Sequence, residues 1–245
     1  EDLDYRRRLS SSYVNWALLQ ESTGKHEEAL VAVEEAISLL EQLSKDDTEN
    51  DIEWDLLANH QLNHAFILES YGQHEMAEIV YRKAITSIDK AIEREPTSQT
   101  LLSTRAKCHE NISSVLVAQN RMDEALQFVE KALVTLTALV GDYPTYPRLS
   151  HNLAEAYNRA GIIHGVLNND AEAAEAYMSA IRVSQRSVKK YPERSDDLSV
   201  LAAAHVNLGE CLVRIGRTDD VASHFENTIR IYEALIRKHP EVAQH

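Results

Sequence analysis

Glycine and proline are scarce in this sequence, with 7 and 5 residues among 245. Alanine, leucine and glutamate dominate instead, and these residues lose little conformational freedom in a helix. No apolar run approaches the ~20 residues that cross a bilayer, and the opening residues lack the apolar segment of a signal peptide. We therefore predict a helical protein in the cytoplasm with no membrane partner. Because the sequence starts at Glu1 rather than at Met, we also expect an excerpt or a processed chain.

Basic residues are outnumbered, since 25 Lys and Arg against 39 Asp and Glu give a formal net charge of −14. A surface this acidic repels phosphate backbones, so we expect no nucleic-acid partner. The basic triplet at residues 6–8 is either a local anion-binding patch or a solvated face at a helix start, and such charge runs favour the second. The two cysteines, Cys108 and Cys211, have no metal-type spacing, and we predict that both are small buried hydrophobic side chains.

Five columns of similar residues recur every 48 residues without an insertion. The first column consists of prolines: Pro96, Pro144, Pro192 and Pro240. The second holds glycine or asparagine: Gly24, Gly72, Asn120, Asn168 and Gly216. Two columns are mostly alanine: Ala29, Ala77, Ala125, Ala173 and Val221, then Ala36, Ala84, Ala132, Ala180 and Thr228. Between them lie Val33, Tyr81, Val129, Tyr177 and Phe225. The shared step predicts five tandem repeats.

Each column has a physical role in a pair of antiparallel helices. Glycine and asparagine adopt positive φ most readily, as the end of a helix before a tight turn requires. Acidic residues such as Glu27 and Glu75 follow and suit the start of the next helix. The alanine columns lie seven residues apart, so they share one helical face and allow close packing. Each proline ends the second helix of its repeat, and in the first repeat the polar stretch around Thr48 takes that role.

The pattern therefore predicts ten helices and no strand. The first helix of each repeat is predicted near residues 3–22, 52–71, 100–118, 148–166 and 196–214. The second is predicted near residues 26–44, 74–94, 122–141, 170–190 and 218–238.

The columns resemble the signature of the tetratricopeptide repeat (TPR) family, W-x2-L-G-x2-Y, then A-x3-F, then P. The fifth repeat has His205, Leu208, Gly209, Leu212, Phe225 and Pro240 at these places. The fourth has Tyr157, Ala160, Gly161 and His164, then Ala173 and Tyr177. The first has Tyr13, Trp16, Ala17 and Gln20, then Ala29 and Val33. The 48-residue length departs from the usual 34 by two heptads, an addition that preserves the buried face of each helix.

The resemblance covers the whole chain and implies an all-α fold. We expect a right-handed α-solenoid superhelix of five antiparallel helix pairs, forming a single array over residues 1–245. The repeats are expected near residues 1–48, 49–96, 97–144, 145–192 and 193–240. Residues 241–245 would then be a linker to a further repeat or a tail.

This long form resembles the TPR arrays attached to bacterial serine/threonine protein kinases of the eukaryotic type. The similar stretch is residues 5–17, YRRRLSSSYVNWA. No Gly-rich phosphate loop, HRD-like loop or DFG-like segment occurs in this sequence, so a kinase domain would lie outside it.

In TPR proteins the first helices line a concave groove, and the resemblance places one column of this chain there: Asn15, Asn63, Asn111, Arg159 and Asn207. Asparagine is a poor residue for a helix interior, so four at one register position need a reason. They either form a ladder that binds an extended peptide backbone, or each bonds a neighbouring helix or turn. Leu18 and Phe66 flank this column and either anchor a ligand or pack between repeats. The columns that would clamp a terminal carboxylate hold apolar residues here, which argues against that activity.

No catalytic, metal or cofactor site is predicted. Three His-Glu pairs lack the second histidine of the zinc-protease motif. His60 and His64 have the spacing of two ligands on one helix face, but they lie on core columns. We therefore expect a non-catalytic scaffold for proteins or extended peptides, belonging to a larger signalling protein. The alternatives are self-association, a partner within the same polypeptide, and a non-catalytic regulatory region of a kinase.

Overall fold

The computed structural model describes residues 2–46 and 53–238, and within these ranges it contains ten α-helices and no strand. The first five helices are α1 Asp2–Ser22, α2 His26–Asp46, α3 Trp54–Ser70, α4 His74–Arg94 and α5 Gln99–Ala118. The others are α6 Met122–Asp142, α7 Pro147–Val166, α8 Asp170–Lys190, α9 Ser195–Arg214 and α10 Val221–Lys238. The prediction of two helices per 48-residue repeat is confirmed over these ranges.

The largest difference from the predicted bounds is at α10, which begins at Val221 rather than near residue 218. Asp219 and Asp220 lie in a turn, and the backbone N–H of Val221 donates to the carbonyl oxygen of Thr218 at 3.2 Å. Short polar side chains favour such turns over the first turn of a helix, which accounts for the late start.

The helices form two compact units, Glu1–Arg121 and Met122–His245. In the first unit α1 pairs with α2 and α3 with α4, while α2 packs on α3 and α4 on α5. In the second unit α7 pairs with α8 and α9 with α10, while α6 packs on α7 and α8 on α9. We call a contact of the second helix of one repeat with the first helix of the next a repeat junction. Four repeat junctions are thus present, two in each unit.

The turn inside each repeat has the backbone conformation that the Gly/Asn column predicts. Gly24, Gly72 and Gly216 have φ between 73° and 77°, and Asn120 and Asn168 have φ of 59° and 61°. In the first turn the N–H of Lys25 donates to the carbonyl oxygen of Gln20, and that of Gly24 to Glu21. This pair of bonds is a Schellman motif, which satisfies two of the last carbonyl groups of α1.

The two alanine columns form the inner face of the second helices. Their eight alanines are all 0% exposed: Ala29, Ala36, Ala77, Ala84, Ala125, Ala132, Ala173 and Ala180. In the second unit Ala173 and Ala180 pack with Tyr177, Leu208 and Cys211 in one core cluster. Small side chains at these places let helix pairs approach closely, so the predicted role of the columns is confirmed.

Three prolines follow the ends of second helices, as predicted. Helix α4 ends two residues before Pro96, α6 two before Pro144 and α8 two before Pro192. The breaking stretch predicted around Thr48, residue Pro240 and the linker at 241–245 lie outside the described residues. Both cysteines are fully buried and free, as predicted.

Candidate peptide-binding groove

The predicted groove column lies on the first helices of the repeats. Asn15, Asn63 and Asn111 lie on α1, α3 and α5 of the first unit, where α1 contacts α3 and α3 contacts α5. Arg159 and Asn207 lie on α7 and α9 of the second unit, which also contact each other. Within each unit, consecutive members of the column therefore lie on neighbouring helices.

In the first unit, two of the three asparagines have partners in the chain. The side-chain amide of Asn63 donates to the backbone oxygen of Asn59 in the same helix at 2.9 Å. Asn111 hydrogen-bonds the hydroxyl of Tyr81, which in turn donates to Glu69 Oε2 at 2.8 Å. Burial, with Glu69 beside it, raises the pKa of Tyr81. Asn15 is exposed on α1.

The two apolar residues of the predicted site differ in their surroundings. Leu18 is partly buried and packs on the core cluster of α1 and α2. Phe66 on α3 is 48% exposed. Leu18 therefore contributes to packing within the first repeat, while Phe66 presents an aromatic surface that a ligand could cover.

In the second unit the asparagine column joins two helices directly. The amide nitrogen of Asn207 donates to Asn158 Oδ1 at 2.9 Å, across α9 and α7. Each of these amides has further donor or acceptor capacity after this bond is formed. The pair is therefore both a link between repeats and a polar surface on the first helices.

Beside this pair lies an open cavity of about 320 Å³, which we call the α7–α9 cleft. Its seven lining residues all belong to first helices: Glu155, Asn158, Arg159, Ile162, Ser199, Val200 and Ala203. Arg159, a predicted site residue, thus lines a cavity on the predicted face. Its Nε atom is buried and has no hydrogen-bond partner in the described part of the chain. A buried donor without a partner costs free energy.

Six residues of the cleft are not among the predicted site residues: Glu155, Asn158, Ile162, Ser199, Val200 and Ala203. Helical spacing offered a signal, because Glu155 and Ile162 lie one turn to either side of Asn158 and Arg159. The cleft exists because of the distance between α7 and α9. That distance depends on how the helices pack, and spacing in the sequence does not predict it.

A buried polar cluster in the second unit was also missed by the sequence analysis. Asp197 is 1% exposed and accepts hydrogen bonds from Ser187 at 2.6 Å and from Arg194 at 3.0 Å. Its other oxygen lies 2.9 Å from Nδ1 of His151 on α7. The serine hydroxyl bonds the carboxylate rather than the imidazole, so this cluster holds no nucleophile–base pair. It links α7, α8 and α9 and satisfies a buried charge.

The two histidines with metal-like spacing have other surroundings. His60 lies 3.2 Å from the hydroxyl of Ser10, and His64 lies 3.8 Å from Glu34. Burial lowers the pKa of each to about 4, with Lys83 as a further cause for His64. Over residues 2–46 and 53–238, no group of three or more His, Cys, Asp or Glu side chains is placed to hold a metal ion. Over the same ranges, no helix is long and apolar enough to cross a membrane.

Comparison with known proteins identifies the class of fold. No family model matches the chain, and no curated protein matches it. Solved structures do match. BtubC from P. vanneervenii is 17% identical over 96% of this chain and 92% of that protein, with a TM-score of 0.66. A Podosopora anserina protein described as a kinesin light chain, with nearly identical TPR-like repeats, is also 17% identical. It covers 95% of this chain and 98% of its own length, with a TM-score of 0.63.

The apo form of RapI is 14% identical over 94% of this chain and 72% of its own, with a TM-score of 0.71. At these identities the likeness shows the fold alone. The chain has an all-α, TPR-like solenoid fold with helices packed as sequential pairs.

Proposed function

We propose that this chain is a non-catalytic scaffold that binds a protein or an extended peptide on its first helices. The observation that carries this proposal is the α7–α9 cleft, which is lined entirely by first helices and includes Arg159, whose Nε has no hydrogen-bond partner among the described residues. The structure of a Rap protein with Competence and Sporulation Factor is also similar in fold, with 14% identity over 89% of this chain and 52% of that protein and a TM-score of 0.59. It supports the proposal only as an example of a binding partner on this class of fold.

The chemistry of the cleft favours an extended segment with one acceptor and one small apolar side chain. Arg159 offers N–H donors to a carboxylate or a backbone carbonyl. Ile162, Val200 and Ala203 offer an apolar surface beside it. Asn158 and Asn207 keep spare donors and acceptors for the backbone of the same segment. Because Glu155 also lines the cleft, a segment with several acidic residues would be repelled there.

The test is a selection of binders from a library of random extended peptides, followed by affinity measurements on variants. The Arg159→Ala variant removes the donor, and Ala203→Trp fills the cleft from the opposite helix. The matched control is Arg186→Ala, which removes an exposed arginine from α8. We expect both cleft variants to weaken binding at least about tenfold and the control to leave it unchanged. Selected peptides that bind all four proteins equally would refute the proposal.

The other functional alternatives differ in their support. The kinase-associated role, and membership of a larger signalling protein, rest only on the resemblance of residues 5–17 and have no support among the structures named above. A partner within the same polypeptide stays a prediction. Location in the cytoplasm stays a prediction. Self-association has a specific observation in its favour, because large apolar side chains are exposed on α1 and α10.

A further inference from the structure

Helix α1 exposes a row of large apolar side chains. Leu9, Trp16 and Leu19 are 46%, 53% and 53% exposed. Their spacing places them on one side of the helix. We call these three residues the leading face. Exposed apolar side chains are common singly, but three along one stripe of a helix indicate a surface that another element covers.

One of these register positions is buried in every later repeat. The position of Leu19 is taken by Ile67, Val115, Ile163 and Cys211, all 0% exposed. Ile67 on α3 packs into the core cluster formed by α1 and α2, and the thiol of Cys211 on α9 lies 3.3 Å from the backbone oxygen of Asp170 on α8. This column therefore meets the preceding second helix at the repeat junctions. On α1 the same column holds Leu19, which is 53% exposed.

Helix α10 shows the complementary arrangement. Ile229, Tyr232 and Ile236 are 58%, 47% and 54% exposed and lie three and four residues apart on one stripe. We call these three residues the trailing face. The position of Tyr232 is taken in earlier repeats by Leu40, Ile88, Leu136 and Ser184, which are 4% exposed or less.

The trailing column packs on the following first helix wherever a repeat junction is present. Ile88 on α4 clusters with Cys108 on α5, and Ile181 on α8, one repeat before Ile229, clusters with Leu201 and Leu208 on α9. Leu201 and Leu208 are the equivalents of Leu9 and Trp16 in the fifth repeat. The two exposed faces are thus the two halves of one repeat junction.

We propose that the trailing face of one copy of this chain packs on the leading face of another, so that copies associate head to tail. The occupant is a second copy because one sequence carries both halves of an interface that it already forms four times internally. The two faces differ, so the contact is heterologous: each copy keeps a free face and the assembly grows with concentration. This inference is independent of the proposed peptide-binding role, because the leading face and trailing face contain no residue of the α7–α9 cleft.

The experiment is sedimentation velocity on the full chain over roughly a hundredfold range of concentration, with variants blocked at one face. Leu19→Glu places a charge in the leading face, and Tyr232→Glu places one in the trailing face. The control is Val134→Glu on α6, whose side chain is 74% exposed and belongs to neither face. The wild-type chain and these three variants are first compared by circular dichroism. Trp16→Glu and Ile229→Glu serve as second variants if either of the first pair loses helix.

We expect the wild-type chain and the control to form species heavier than the 27.7 kDa monomer as concentration rises. Each blocked variant alone should stay monomeric. A buried carboxylate without a partner should weaken the affinity between copies by about tenfold or more. An equimolar mixture of the two should form a complex of two chains and nothing larger, because each partner supplies one intact face. A wild-type chain that stays monomeric would overturn the proposal and leave both faces to further helices of a longer polypeptide. Self-association of a blocked variant, or a mixture that stays monomeric, would overturn it as well.

Discussion

The side-chain amide of Asn207 donates to Asn158 Oδ1 at 2.9 Å, which joins the first helices of two successive repeats. An asparagine of the predicted ladder thus stabilises the fold as well as lining the candidate groove. The two roles that the sequence left open are compatible, because one amide has more hydrogen-bonding capacity than a single partner uses.

We expect the bond between Asn158 and Asn207 to contribute measurably to stability. Replacing either residue by alanine should lower the free energy of unfolding by about 1 kcal/mol, since it leaves a partly buried partner without its bond. A double-mutant cycle by urea denaturation should give a coupling energy of about 0.5–1.5 kcal/mol. A coupling energy near zero would show that the two amides bond water instead.

The asparagines of the first unit should differ in their effect on stability. Asn111→Ala removes a partner of the fully buried Tyr81 and should cost about 1 kcal/mol. Asn15→Ala, at an exposed position of α1, should stay within about 0.5 kcal/mol of wild type. Thermal unfolding of the two variants measures both values. Equal losses would contradict the distinct environments of these two residues.

Gly161 should not tolerate even a methyl group. A Cβ atom there would lie 2.5 Å from Cε1 of Tyr177, whose ring is 5% exposed and held in the core. Gly161→Ala should therefore lower the free energy of unfolding by about 1–2 kcal/mol, because overpacking outweighs the gain in helix propensity.

Gly141→Ala is the matched control for Gly161→Ala. A Cβ at Gly141 on α6 meets no atom within 4 Å, so this variant should gain about 0.5–1 kcal/mol. Chemical denaturation of both variants tests the pair. A stabilised Gly161→Ala protein would mean that the ring of Tyr177 does not pack as the structure shows.

These positions show how far the sequence alone could predict the fold. The 48-residue step fixed the place of Gly161 in the TPR-like pattern, the positive φ at Asn120 and Asn168, and the burial of the alanine columns. Each of these depends on local geometry repeated five times, which a sequence displays directly. The start of α10 deviated because Asp219 and Asp220 favour a turn over a helix.

The candidate site could be predicted only in part. Register alone placed Arg159 and Asn207 on first helices, but their contacts depend on the distance between helix axes. The bond from Asn207 reaches Asn158 rather than another member of the column, and the cleft that Arg159 lines depends on how α7 and α9 pack. Asp197 was missed for the same reason, because its partners His151, Ser187 and Arg194 come from three different segments.

Acid should destabilise the fold partly through His60. Burial lowers the pKa of this residue from 6.5 to about 4 in the folded protein. At pH 7 the imidazole is mostly neutral in both the folded and the unfolded chain, so the lowered pKa has little effect on stability. As the pH falls through 6.5, the unfolded chain binds the proton first, so stability falls until about pH 4. Between pH 7 and pH 5 the loss should be on the order of 1–2 kcal/mol.

The variant His60→Gln separates this contribution from the titration of the carboxylates. Glutamine keeps a polar group near Ser10 but binds no proton in this range. The loss of stability between pH 7 and pH 5, followed by urea denaturation, should therefore be smaller in the variant than in wild type. The same loss in both proteins would show that His60 binds its proton equally well folded and unfolded.

The most direct test of the central claim is to locate a bound peptide by photo-crosslinking. An aliphatic photoreactive amino acid close in size to isoleucine would replace Ile162 in the α7–α9 cleft, or Met178 on the exposed surface of α8, and a selected peptide would be added before irradiation. We predict crosslinked peptide from position 162, competed by unlabelled peptide, and none from position 178. Crosslinking at position 178 alone, with binding unaffected by Ala203→Trp, would contradict recognition on the first helices.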